Sequence, residues 1–121
     1  MRLERVNEKY ENERKNMETG VSLIAKERNR QINELGFDVA NDDLYQFGEL
    51  ADAAICYAIR PEVRNNPVDD FFAVEKKLWP WDFSFWKPTP HDRIRELVKA
   101  GALMAAQIDR ELLIIKRKQN G

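Results

Sequence analysis

TPHDRIRELVKAGALMAAQIDRELLIIKRK, residues 89–118, is the stretch of sequence that decides the fold class. Its apolar residues recur every three or four positions, which places them on one face of an α-helix. They are Ile94, Leu97, Val98, Gly101, Met104, Ala105, Ile108, Leu112 and Ile115. Thr89 is the predicted N-cap, Pro90 fits the first helical position, and Asp92 completes a capping-box-like pattern. The stretch predicts a long amphipathic helix near the end of the chain.

Three weaker helical patterns precede this helix. Residues 1–19 have a thin apolar stripe among many charges, which predicts a charged N-terminal helical arm. A second pattern begins near Val21 and stops at Gly36. A third begins near Asn41, has an alanine-rich face typical of close helix packing, and ends at Arg60-Pro61. We expect residues 20–121 to form a single helical domain.

Residues 61–90 hold all five prolines and all three tryptophans of the chain. Asn66-Pro67 is a predicted start for a short helix that reaches Lys77. Beyond it, residues 78–88 read LWPWDFSFWKP, which a regular helix cannot accommodate. A loop with so much apolar area is expected to fold back on the core. The predicted fold is therefore all-α, a small domain of three or four helices with an ordered Pro/Trp-rich loop before the C-terminal helix.

Composition restricts the class of function. The chain has 121 residues, 20 basic and 21 acidic side chains, and a net charge of -1, so it has no dense basic patch of the kind that duplex nucleic acid requires. No stretch is apolar for long enough to cross a membrane, and the charged N-terminus is not typical of a secretory signal. Cys56 is the single cysteine and is expected to be a buried thiol. These features predict a cytoplasmic protein.

Acidic residues in the third pattern suggest one kind of site. Asp43, Glu49 and Asp52 lie on or beside one helix, and carboxylates one turn apart can hold Mg²⁺ for a phosphate substrate. All-α nucleotide pyrophosphohydrolases use this arrangement, but with a second acidic motif, Glu-Glu-x-x-Glu, that this sequence lacks. The other interpretation is that these carboxylates cap the N-terminus of the helix and lie on its solvent-exposed face. Magnesium is therefore expected as a cofactor only if the protein is an enzyme of this type.

Cationic and aromatic residues suggest a second kind of site. A helix N-terminus with nearby arginines and aromatic rings can hold a phosphate-bearing or nucleobase-bearing ligand. The candidate ligand-binding residues are Arg28, Gln31, Trp79, Trp81, Trp86, Lys87, His91 and Arg95. The alternative is that the tryptophans form the core and the arginines make surface ion pairs. His91, the only histidine, has no partners for a zinc site or a catalytic triad.

Several motifs resemble a family of short phage and prophage proteins. The matching stretches, between about residues 22 and 110, are Glu27-Arg28-Asn29-Arg30-Gln31 with the following Gly36, Asp42-Asp43, Gly48-Glu49-Leu50-Ala51-Asp52-Ala53-Ala54 with Tyr57-Ala58, Trp79-Pro80-Trp81-Asp82, Trp86-Lys87-Pro88 and Arg95-Glu96-Leu97-Val98-Lys99-Ala100-Gly101-Ala102-Leu103. Phe37 and Phe85 stand where that family usually has Trp, and Asn41 stands where it often has His. The order of an Arg-bearing helix, an aromatic-Pro-aromatic-Asp loop and a final helix also resembles the ryanodine-receptor repeat domain.

Together these observations predict a non-catalytic binding protein for a small anionic or nucleotide-like ligand. The phage resemblance implies sequestration of a host signalling nucleotide, or contact with a host protein, in the host cytoplasm. We also expect a homo-oligomer formed through the N-terminal arm. The alternatives are a magnesium-dependent nucleotide pyrophosphohydrolase and a protein-interaction or structural module.

Overall fold

The computed structural model describes residues 8–13, 17–35, 48–64 and 74–121, and its regular structure is entirely helical over these ranges. The helices are α1 (Gly20–Leu35), α2 (Glu49–Ala58), α3 (Val74–Leu78) and α4 (Arg93–Asn120), with a 3₁₀ turn at Phe83–Phe85. Residues 8–13, in the predicted arm, are also helical. The predicted all-α class and the long C-terminal helix are confirmed.

Helix α4 is the central element of the fold. Helices α1 and α2 both pack on it, and α3 packs on α2. The faces of α2 and α4 that meet are rich in alanine, which allows these two helix backbones to approach closely. The buried cluster comprises Leu50, Ala53, Ala54, Cys56, Tyr57, Trp79, Ala100, Leu103 and Ala106. Burial, and to a smaller extent the nearby carboxylates of Glu75 and Asp52, raise the pKa of the Cys56 thiol to about 11.

Helix α2 begins at a glycine with an unusual backbone conformation. Gly48 precedes the helix with φ of +84°, a left-handed conformation that is favourable only for residues without a Cβ. The predicted start near Asn41 lies outside the described residues. At the other end, Arg93 donates to the carbonyl oxygens of Tyr57 (2.9 Å), Ile59 (3.1 Å) and Ala58. Arg93 thereby satisfies carbonyl groups that the end of a helix leaves without partners.

The start of α4 differs from the sequence expectation. Thr89 as N-cap is wrong: the N-cap is Asp92, whose carboxylate accepts a hydrogen bond from the backbone N–H of Arg95 at 3.1 Å. Thr89 instead closes a turn, because its carbonyl accepts from the backbone N–H of Asp92 at 2.8 Å. Asp92 is the better cap because it lies three residues before Arg95, whose backbone N–H has no partner within the helix. Its negative charge also lies at the positive end of the helix dipole.

The Pro/Trp-rich loop is ordered against the helices, as predicted. Trp79 is 8% exposed, and its indole N–H donates to the carbonyl of Asp82 at 3.1 Å. Its ring lies edge-on to Tyr57 at 5.7 Å and to Trp81 at 5.3 Å between centroids. The carboxylate of Asp82 accepts from the backbone N–H of Ser84 and so starts the 3₁₀ turn. Aromatic packing therefore replaces regular hydrogen bonding as the source of order.

A buried ion-pair cluster joins the turn after α2 to α4. Glu96 is fully buried, and its Oε2 lies 2.6 Å from Nη2 of Arg64. The same carboxylate accepts from Arg93 at 3.2 Å and from the backbone N–H of Thr89 at 3.1 Å. Arg64 also donates to the carbonyl of Cys56 and lies 5.3 Å from the ring centroid of Trp86. One carboxylate thus fixes three separate segments of the chain.

Most of the large apolar residues on α4 face outward. We call this face the outer stripe, and it consists of Ile94, Leu97, Met104, Ile108, Leu112 and Ile115, all exposed. The inner face carries alanines, Leu103 and the buried polar residues Glu96, Gln107 and Arg110 instead. Among the described residues, no helix has both the length and the hydrophobicity needed to cross a membrane.

Candidate functional site

A cleft of about 610 Å³ opens between α1, α4 and the Pro/Trp-rich loop. Its helical side is lined by Glu27, Arg30, Gln31, Lys99 and Leu103. Its opposite side is lined by Tyr57, Trp79, Trp81, Phe85 and Lys87. One side therefore supplies charged and polar groups, and the other supplies mainly aromatic rings. This division is typical of sites that hold a flat ring with a charged substituent.

Glu27 organises the charged side of the cleft. Arg30 donates to its two carboxylate oxygens at 2.8 and 2.9 Å, and Arg95 donates to Oε1 at 2.7 Å from α4. Burial raises the pKa of Glu27, but the hydrogen bonds from Arg30 and Arg95 outweigh burial and lower this pKa to about 2. Glu27 is therefore ionised at neutral pH, and its ion pairs hold α1 against α4.

Glu27 should make the stability of the protein depend on pH in acid. Because its pKa is lower in the folded chain than in the unfolded chain, its contribution is complete above about pH 4.5 and is lost as the pH falls toward about 2. We expect Glu27→Gln to remove on the order of 3 kcal/mol of stability at neutral pH and much less near pH 2. Urea unfolding across this range measures the difference, and a constant difference between wild type and variant would contradict the assignment.

Gln31 lies one helical turn after Glu27 and is 4% exposed. Its Nε2 donates to Oε2 of Glu27 at 3.3 Å. Its Oε1 is buried and has no hydrogen-bond partner among the described residues. A residue that lines the cleft therefore carries a buried oxygen that is still able to accept a hydrogen bond.

Two lysines connect the charged and aromatic sides. Lys99 on α4 donates to the carbonyl of Lys87 at 3.1 Å, and its ammonium lies 5.3 Å from the ring centroid of Tyr57. Burial lowers the pKa of Lys99, and the neighbouring positive charge of Arg95 lowers it further. The backbone N–H of Lys87 donates to the Tyr57 hydroxyl at 3.2 Å. These contacts fix the position of the loop relative to α2 and α4.

Four of the residues predicted from the sequence line this cleft: Gln31, Trp79, Trp81 and Lys87. Arg95 reaches the cleft indirectly, through its ion pair with Glu27. The structure brings together Gln31 from α1 and the other four residues from the loop and the start of α4, which follow it by about 50 or more positions in the sequence.

The other predicted ligand-binding residues lie outside the lining of the cleft. Arg28 is buried and pairs with Asp109 at 3.3 Å. Trp86 packs against Tyr57, with 4.7 Å between ring centroids. His91 is exposed in the turn before α4.

The predicted metal residues are described only in part. Glu49 and Asp52 are both in the first turn of α2, where their charge suits the helix dipole, and both are half-buried. Asp43 lies outside the described residues. Within the described ranges, no group of three or more Asp, Glu, His or Cys side chains is placed to hold a metal ion.

Six residues that line the cleft are not among the predicted site residues: Glu27, Arg30, Tyr57, Phe85, Lys99 and Leu103. One signal was available, since Glu27, Arg30 and Gln31 are spaced three and four apart and must share a helix face. No comparable signal marks Tyr57, which reaches the site only through tertiary packing.

Comparison of the chain with protein-family models, with curated proteins and with solved structures gave no match.

Proposed function

We propose that this protein binds a small, anionic, nucleotide-like ligand in the cleft. The observation that carries the proposal is the pairing of an aromatic wall with lysine and arginine side chains across one cavity. Aromatic rings stack on planar heterocycles, and ammonium and guanidinium groups bind phosphate. The cavity volume of about 610 Å³ is also within the usual range for small-molecule sites.

The Glu27 carboxylate supports a binding role and not that of a general base. A general base at neutral pH needs a pKa near the working pH, whereas the pKa of Glu27 is about 2. The carboxylate of Glu27 already accepts hydrogen bonds from Arg30, Arg95 and Gln31. Its role in the proposal is to hold the two arginines and Gln31 in place beneath the ligand.

The proposal includes a cellular role, a location and self-association. The phage resemblance supports sequestration of a host signalling nucleotide, or contact with a host protein, in the host cytoplasm. Self-association is supported by the exposed apolar side chains of the outer stripe and by Tyr10 and Met17 near the N-terminus. The residues of the outer stripe are spaced three, four or seven apart, the spacing at which two copies of one helix can pack together.

Isothermal titration with a panel of mono-, di- and cyclic nucleotides tests the binding proposal. We expect Lys99→Met to weaken binding about tenfold or more, because it removes a charge-assisted contact. We expect a similar loss for Trp81→Ala through lost stacking, which is worth about 1–3 kcal/mol. His91→Ala, an exposed residue outside the cleft, is the matched control and should bind like wild type.

Two outcomes of these experiments count against the proposal. If wild type binds no nucleotide in the panel, or if Lys99→Met and Trp81→Ala bind as well as His91→Ala, the cleft is not the site. Phosphate release from a nucleotide in the presence of Mg²⁺ would favour the hydrolase alternative, and Glu49→Gln should then abolish it.

A further inference from the structure

The orientation of the Gln31 amide is determined by its neighbour. Glu27 is an ionised carboxylate with only acceptor oxygens, so the group that faces it at 3.3 Å has to be the amide nitrogen. The opposite orientation would place two oxygens against each other. The buried Oε1 of Gln31 is therefore held as an acceptor without a partner among the described residues, on a side chain of a residue that lines the cleft.

A buried acceptor of this kind selects a ligand that carries a donor. The amide nitrogen has two N–H groups and commits one of them to Glu27, so the second remains available beside Oε1. An amide edge with one acceptor and one donor matches the edge of a base that carries an N–H donor next to a ring nitrogen. The aromatic residues Trp79, Trp81 and Tyr57 line the same cavity and offer surfaces for the ring.

We propose that Gln31 determines which ligand the cleft accepts, by receiving a hydrogen bond from the exocyclic amino group of a nucleobase such as adenine or cytosine. This inference rests on the proposed function and deepens it. An amino group has two N–H donors, so one of them can meet Oε1 of Gln31. A uracil-type ring has no exocyclic amino group and so cannot make this contact.

Matched pairs of nucleotides that differ only in the amino group test this inference. The first pair is AMP and purine riboside 5′-monophosphate, and the second is CMP and pyrimidin-2-one riboside 5′-monophosphate. Within each pair the charge and the sugar are identical. We expect wild type to bind the amino member of at least one pair about tenfold tighter by isothermal titration, because the analogue leaves the buried oxygen of Gln31 unpaired. Gln31→Met, which keeps the length of the side chain, should reduce this difference to less than about twofold.

The outcomes separate this inference from the proposed function. Equal affinity within both pairs, or binding of UMP in preference to AMP and CMP, overturns the role of Gln31 and leaves nucleotide binding intact. A tenfold difference that persists in Gln31→Met also overturns it. No binding of any nucleotide overturns both proposals. The comparison within wild type does not depend on the variant, and circular dichroism with thermal unfolding establishes whether Gln31→Met is folded.

Discussion

Glu96→Ala is expected to lower the free energy of unfolding by about 3–5 kcal/mol, because it leaves a buried guanidinium without its carboxylate. Glu96 is fully buried, and Arg64, its closest ion-pair partner at 2.6 Å, is also buried. The substitution also removes the acceptor for the backbone N–H of Thr89. Three segments would lose their common contact at once.

Urea unfolding followed by circular dichroism measures this effect. The matched control is Glu62→Ala, since Glu62 also pairs with an arginine, Arg60 at 3.9 Å, but with both side chains largely exposed. An exposed pair contributes about 0–1 kcal/mol, so the control should remain close to wild type. Similar losses for the two variants would show that the Glu96 cluster has no special importance for stability.

Trp79→Ala is expected to cost about 3–5 kcal/mol, the usual range for truncation of a buried tryptophan. The side chain is buried between Tyr57 and Trp81, and its N–H holds the carbonyl of Asp82. Removal would create a cavity beneath the loop and would release the loop from α2. The aromatic wall of the cleft depends on this one side chain for its position.

Phe85→Ala provides the control for Trp79→Ala, because Phe85 lies in the same loop and is 67% exposed. We expect its stability to change by no more than about 0.5 kcal/mol. Thermal and urea unfolding of the two variants give the comparison. A Trp79→Ala protein as stable as Phe85→Ala would mean that the loop does not depend on its buried indole.

The sequence was sufficient to predict the helical class and the docking of the loop. Both depend on local signals: the apolar spacing along α4, and prolines and tryptophans that exclude a regular helix between Trp79 and Pro88. The position of the N-cap was wrong because Thr89 and Asp92 are both good capping residues. Which of the two caps the helix depends on where the helix begins in three dimensions, and therefore on which backbone N–H groups lack a partner.

The sequence could not show which face of α4 is inside. The apolar spacing shows which residues share the face that we call the outer stripe. It does not show whether another part of the chain covers that face. The inner face is inconspicuous in the sequence because alanines such as Ala102 and Ala106 carry little hydrophobic signal. Glu96 and Arg110 on the same face would ordinarily be expected on the surface.

The residues of the cleft could be predicted only in part, because several of them are placed there by tertiary contacts. Trp79 and Trp81 were found because aromatic residues between prolines are conspicuous in a sequence. The sequence pattern favoured Arg28, whereas its neighbour Glu27 lines the cleft and Arg28 pairs with Asp109. A shift of one residue turns a helical side chain by about 100°. The ion pair of Glu27 with Arg95 spans 68 positions of the chain, beyond the reach of any local pattern.

The thiol of Cys56 links ligand binding to opening of the core. Thiol reagents attack the ionised form, and a fully buried thiol with a pKa of about 11 can react only after the packing around it opens. The rate of alkylation under native conditions therefore measures how often the core opens. Tyr57 and Lys99 line the cleft from α2 and α4 respectively, so a ligand held between them joins two helices of this core. Occupancy of the cleft should slow the reaction of a cysteine that the ligand never touches.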